Sequence, residues 1–168
     1  LLSIMRIVRT DSKTVAVGPL DLLYCEFLHQ IRGAADPGTN DAARQRLFPS
    51  PTNGKDPDLD KDWLEYVEPE LIDWFTTSLQ VVERDLKGFP SGPANDLGYT
   101  LQIPIDHLDA WIHALNQARI TLGARYNFTE HDMSGEIPIG GHERSFALFQ
   151  EHFYGVLIEW FIRILDTK

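Results

Sequence analysis

Asp106–Tyr126 reads DHLDAWIHALNQARITLGARY, and how this stretch folds decides the architecture. Leu108, Trp111, Ile112, Leu115, Ala118 and Leu122 recur at spacings of three and four, the period of a helix with one buried face. Asp106 stands where an N-capping carboxylate would accept a backbone N–H of the first turn. On a helical wheel with Leu108 at zero, Ile112, Leu115 and Leu122 fall at about 40°, 340° and 320°. Arg119 falls at about 20°, inside the apolar face. A charge there needs a partner, because an unpaired buried ion costs several kcal/mol (~3–5).

Carboxylates that could meet Arg119 lie on the long helical region expected over Leu59–Lys87. Leu64, Val67, Leu71, Phe75, Leu79, Val82 and Leu86 make one apolar stripe there, widened by Trp63, Trp74 and Val81. Glu68 and Asp85 fall within that stripe, so each is a candidate partner for Arg119 across a helix interface. Pro69 interrupts the region, either as a kink or in the first turn of a new helix.

The remaining segments fill in a mainly α-helical chain. MRIVRT and TVAVG, split by Asp11, Ser12 and Lys13, predict an N-terminal hairpin over residues 5–17. Leu20, Leu23, Phe27 and Ile31 predict a first helix ending at Gly33, and Asp41–Leu47 a brief helix in a Pro- and Gly-rich stretch. TLQI, residues 100–103, predicts a third short strand beside the hairpin. A final helix over Glu143–Leu165 is apolar most of the way round, as for a helix central to the bundle or covered by another subunit. Between it and the Asp106 helix, EHDMSGEIPIGGHE, Glu130–Glu143, reads as a solvated loop broken by Gly135, Pro138, Gly140 and Gly141.

The chain's 168 residues fit a single domain over 1–168. A net charge of −10 with scattered basic residues argues against a nucleic-acid backbone as partner. The longest apolar stretch, Val156–Leu165, is broken by Glu159 and Arg163, so no membrane span is expected, and we expect a cytoplasmic protein. Cys25 sits in an apolar helical pattern and reads as a small buried hydrophobe.

The sequence holds several tempting sites that fail on their spacing. Asp56, Asp58, Asp60 and Asp62 alternate as in a calcium loop, yet the sixth and twelfth positions are Lys61 and Val67 instead of Gly and Glu. His107 and His113 lie about 120° apart on a helix, and His142 and His152 about 80°, so neither pair shares an ion readily. HExxH, GxSxG, P-loop and GxGxxG motifs are all missing from the sequence. We therefore expect no catalytic residues, no metal and no cofactor.

Trp111–Glu130, WIHALNQARITLGARYNFTE, resembles the bacterial family known as domain of unknown function 2017. The resemblance is carried by Trp111, Leu115, Asn116, Arg119, Gly123 and Arg125, and extends to MRIVR, to RLFP at Arg46–Pro49 and to the aromatic-rich closing helix. It implies no established activity and transfers no catalytic residues. In some bacteria genes of that family lie near one for an adaptor of the Clp protease, which implies a link to protein quality control.

The expected molecule is mainly α, a bundle of about four helices with a small N-terminal β-hairpin. Its expected function is that of an interaction or regulatory protein without chemistry of its own, with a protein partner and a homodimer through the last helix. The alternative is a small-molecule-binding domain or enzyme whose crevice uses Arg119 and Arg125 with Glu68, or gathers histidines from separate helices.

Overall fold

The computed structural model describes residues 5–91, 98–134 and 142–167. It begins with the hairpin: β1 (Arg6–Arg9) pairs antiparallel with β2 (Thr14–Leu20). The third strand, β3 (Tyr99–Pro104), joins the other edge of β2, giving the order β1-β2-β3. Ile7, Val17 and Leu101 are register partners across the sheet and all are buried, so cross-strand pairing and burial specify the same alignment. A register shift follows Val17, at the cis Gly18–Pro19 peptide. Gly98 sits against it at φ +138, where a Cβ would lie 2.4 Å from the Leu20 carbonyl oxygen, so only glycine admits this approach.

Two helices stand where one ending at Gly33 was expected. α1 (Leu22–His29) starts on the Asp21 carboxylate, which accepts the Tyr24 N–H at 3.0 Å, and ends at Gln30. α2 (Ile31–Ala35) continues through Gly33. Glycine weakens a helix interior by about 1 kcal/mol, and here the end of α2 is held from outside by side chains of another helix, as described below. α3 (Asp41–Leu47) falls where expected, capped by Asn40.

The Leu59–Lys87 region is one path with a defect. α4 (Pro57–Asp62) opens on an Asp56 cap with Pro57 in its first turn. A π-helical turn over Trp63–Val67 follows, and α5 (Glu68–Asp85) continues from it. Pro69 has no N–H and its ring crowds the carbonyl four residues back. The ladder widens there, with the Glu68 N–H bonding to the Trp63 carbonyl five residues back. Thus Pro69 stands in the first turn of α5, the second of the two expected arrangements, and the wide turn before it takes up the crowding.

A 3₁₀ turn, Ile105–His107, leads into α6 (Leu108–Arg125), so Asp106 is not the cap that was expected. The turn is fixed instead by the sheet, through an Ile105 N–H bond to the Lys13 carbonyl at 2.8 Å. Part of the expected loop after α6 is helical: α7 spans Glu130–Ser134. Its Asp132 accepts from the Thr129 N–H at 2.7 Å and from Arg144 Nη2 at 2.7 Å, which clasps the α6–α8 corner. Gly135, Pro138, Gly140 and Gly141 lie outside the described residues. α8 (Glu143–Asp166) closes the chain.

The protein is mainly α-helical with a three-stranded antiparallel sheet, and α6 is the hub on which α2, α3, α5 and α8 pack. Trp111, Phe27, Phe153, Tyr154 and Phe161 are the largest fully buried side chains, in a core that takes residues from the sheet, α1, α5, α6 and α8. No helix among the described residues is long and apolar enough to cross a membrane.

Candidate functional site

Because α6 is surrounded, every polar side chain it turns inward must find a partner on a neighbouring helix. Arg119 finds one on α8: its Nε donates to Glu151 Oε1 at 2.6 Å. Glu151 is 2% exposed and the Arg119 side chain 30% exposed, so the carboxylate is deep and the guanidinium reaches the surface. α8 makes room for that guanidinium with Gly155, where a Cβ would meet Arg119 Cζ at 3.2 Å. Neither Glu68 nor Asp85 meets Arg119, because the inward face of α6 at this level looks at α8.

Asp85 is engaged one end of α6 away. Its carboxylate accepts from His107 Nδ1 at 2.9 Å and from Trp111 Nε1 at 2.8 Å, and its side chain is 7% exposed. This cluster joins the end of α5 to the start of α6. Glu68 lies far from it, at the start of α5 and half-buried.

The other inward polar stripe of α6 serves α2. Gln117 Nε2 and Thr121 Oγ1 both donate to the Ala35 carbonyl, at 3.2 and 3.3 Å, and Arg125 Nη2 donates to the Asp36 carbonyl at 2.7 Å. Residues spaced four apart along one helix face therefore satisfy carbonyls that the end of α2 leaves open. Arg125 is spent on this cap and does not share a crevice with Arg119.

What does gather at Arg119 is an open crevice of about 270 Å³. Arg46 of α3, Asn116, Arg119 and Gly123 of α6, and Glu151 of α8 line it, with Phe128 and Met133 on one side. Chemically it offers Arg46 and Asn116 beside a neutralised ion pair.

A family model described as domain of unknown function (DUF2017) matches residues 9–165. The chain belongs to that family. No curated protein and no solved structure matches it. In this DUF2017 chain the segment from Trp111 to Arg125 is thus a set of helix ties: Trp111 to α5, Arg119 to α8 and Arg125 to α2.

No group of three metal-ligating side chains assembles among the described residues of this DUF2017 chain. His131, His142 and His152 are exposed, and His29 bonds the Phe89 carbonyl through Nε2 at 2.6 Å. Burial, with Asp21 adding to it, pushes the Cys25 thiol up to about 11, which is the opposite of an activated nucleophile.

The surface feature that sequence reasoning missed is on α4 and α5. Leu64 is 58% exposed, Val67 45% and Trp74 45%, although the first two belong to the stripe that buries Leu79, Val82 and Leu86 farther along. Leu59, Tyr66 and Ile72 are exposed on the same arm. Between Pro57 and Trp74 stand seven acidic residues against the single Lys61. The arm is therefore apolar along one strip and strongly negative around it.

Proposed function

We propose that this DUF2017 chain is a non-enzymatic interaction protein of the bacterial cytoplasm that regulates a protein partner, in the setting of protein quality control. The observation that supports this reading is the uncovered strip on the Pro57–Trp74 arm, whose apolar residues lie at helical spacing and stay in water. Large exposed apolar patches rimmed by charge mark binding surfaces. The acidic rim selects the occupant: a basic amphipathic segment of a partner protein, which buries its apolar face on Leu64, Val67 and Trp74 and neutralises the surrounding carboxylates. A second copy of the arm is repelled by the same charge, and so is nucleic acid.

A photo-crosslinking residue placed at Leu64 in cells, with His152 on the far surface as control, tests this reading. The expected product is a partner crosslinked through a basic, apolar-periodic segment at position 64 and not at 152. Crosslinks to acidic segments, or the same products from both positions, would contradict it.

Self-association through α8 is a second contact we assign. Trp160 and Ile162 stay exposed there, flanked by the Glu159–Arg163 pair, so an antiparallel second copy meets opposite charge. Sedimentation that stays monomeric at rising concentration would remove it. The alternative of a small-molecule site rests on the Arg46–Arg119 crevice, and a thermal shift with small anions that is lost in Arg46→Met would favour it.

A further inference from the structure

A second cavity, of about 360 Å³, lies at the root of the arm and is separate from the strip and from the Arg119 crevice. Small-ligand sites begin at about 300 Å³. Its walls carry four kinds of group that together describe one ligand.

Gln117 is 6% exposed and contributes to the lining. Its Nε2 is used on the Ala35 carbonyl, while its Oε1 is buried with no hydrogen-bond partner among the described residues. Buried acceptors are nearly always satisfied, so an orphan beside a cavity points to a donor supplied from the cavity. Phe48 and Phe75, with ring centroids 5.8 Å apart and planes inclined by 45°, form an aromatic wall continued by Ile72 and Leu79. Arg44 and Asp36 are exposed lining residues of opposite charge. The Arg44 guanidinium has no hydrogen-bond or ion-pair partner among the described residues, whereas Arg32, also in the lining, is held by Glu83 through Nη2 at 2.7 Å. Asp36 Oδ1 accepts from the Gly38 N–H at 2.8 Å, which leaves Oδ2 for a ligand.

We infer that this cavity binds a free aromatic α-amino acid whose ring ends in a hydroxyl. The α-carboxylate pairs with the planar fork of Arg44. The ammonium meets Asp36, and a rim that offers Arg44 beside Asp36, with the second cation Arg32 already held by Glu83, suits a zwitterion better than a simple anion or amine. The ring lies against Phe48 and Phe75 in the offset or edge-on geometry aromatic pairs prefer. The phenol O–H donates to Gln117 Oε1. This assignment is independent of the partner strip, although Ile72 borders both.

Calorimetric titration of the full chain with L-tyrosine tests it. L-phenylalanine, tyramine and 3-(4-hydroxyphenyl)propionate serve as comparators that lack the hydroxyl, the carboxylate and the ammonium in turn. The expected result is saturable tyrosine binding, weakened about tenfold for phenylalanine and about tenfold or more for the two analogues lacking a charge. Arg44→Met and Asp36→Asn are expected to weaken binding similarly with unchanged melting temperature, since both residues are exposed and Asn keeps an acceptor for Gly38. Leu64→Ser, on the strip, is expected to leave it unchanged. No saturable tyrosine binding, comparators that bind as tightly as tyrosine, or full binding by Arg44→Met would overturn the assignment.

Discussion

The two ends of one apolar stripe behave differently. Leu79, Val82 and Leu86, near the end of α5, are buried under α6, whereas Leu64 and Val67, on the π-turn that precedes α5, are exposed. The residue chemistry is the same at both ends; what differs is whether another element of the chain lies on top. The half that is covered stabilises the fold, and the uncovered half is free to do so for a complex.

Breaking the packed body, of which the covered end is part, should be costly. The largest effect is expected from Arg119→Met, which leaves the Glu151 carboxylate buried without its partner and should destabilise the protein by about 3–5 kcal/mol in urea unfolding. The double variant Arg119→Met with Glu151→Met should recover most of that loss, because an apolar pair of similar volume replaces the ions. Leu79→Ala, at the root of the arm, should cost about 2–4 kcal/mol by opening a cavity. Gly155→Ala should cost about 1–2 kcal/mol by pushing the Arg119 guanidinium off α8.

A smaller effect is expected at the junction of arm and body, where the Trp74 ring stands 3.9 Å from the His113 ring. Burial holds the His113 imidazole below its ordinary value, with Asp109 partly opposing. The unfolded chain then binds the proton more readily than the folded one, so stability is full above about pH 6.5 and falls as pH drops below it. Thermal melts between pH 7.5 and 5 should show that His113→Gln removes part of this decline. The smallest effect is expected from Leu64→Ser, within about 0.5 kcal/mol of the parent, because the side chain already stands in water.

Much of the fold was legible in the sequence, since periodicity reports which face of an element is apolar. α3, the hairpin and the third strand followed from local pattern alone. The α1–α2 break at Gln30 and the 3₁₀ entry to α6 were not legible, because each is fixed by contacts distant in sequence. The same holds for the site. Arg119 was conspicuous as a charge on an apolar face, but its partner Glu151 was hidden within a helix apolar most of the way round. Gly155, a small residue four positions later among bulky ones, was the available sign that something from another helix passes there. Asp85 reads as an inward carboxylate from the sequence, while its partners His107 and Trp111 sit at the near end of α6, where the 3₁₀ turn alters the helical phase. The exposed strip could not be read at all, because a stripe on a wheel carries no information about what covers it.

Calorimetric titration with a synthetic basic amphipathic helix, comparing the parent protein with the Leu64→Ser/Val67→Ser variant, decides whether the exposed strip is a docking surface. The expected result is saturable, salt-sensitive binding to the parent and at least about tenfold weaker binding to a variant of unchanged stability. Equal affinity for both proteins, or no binding to either, would contradict it.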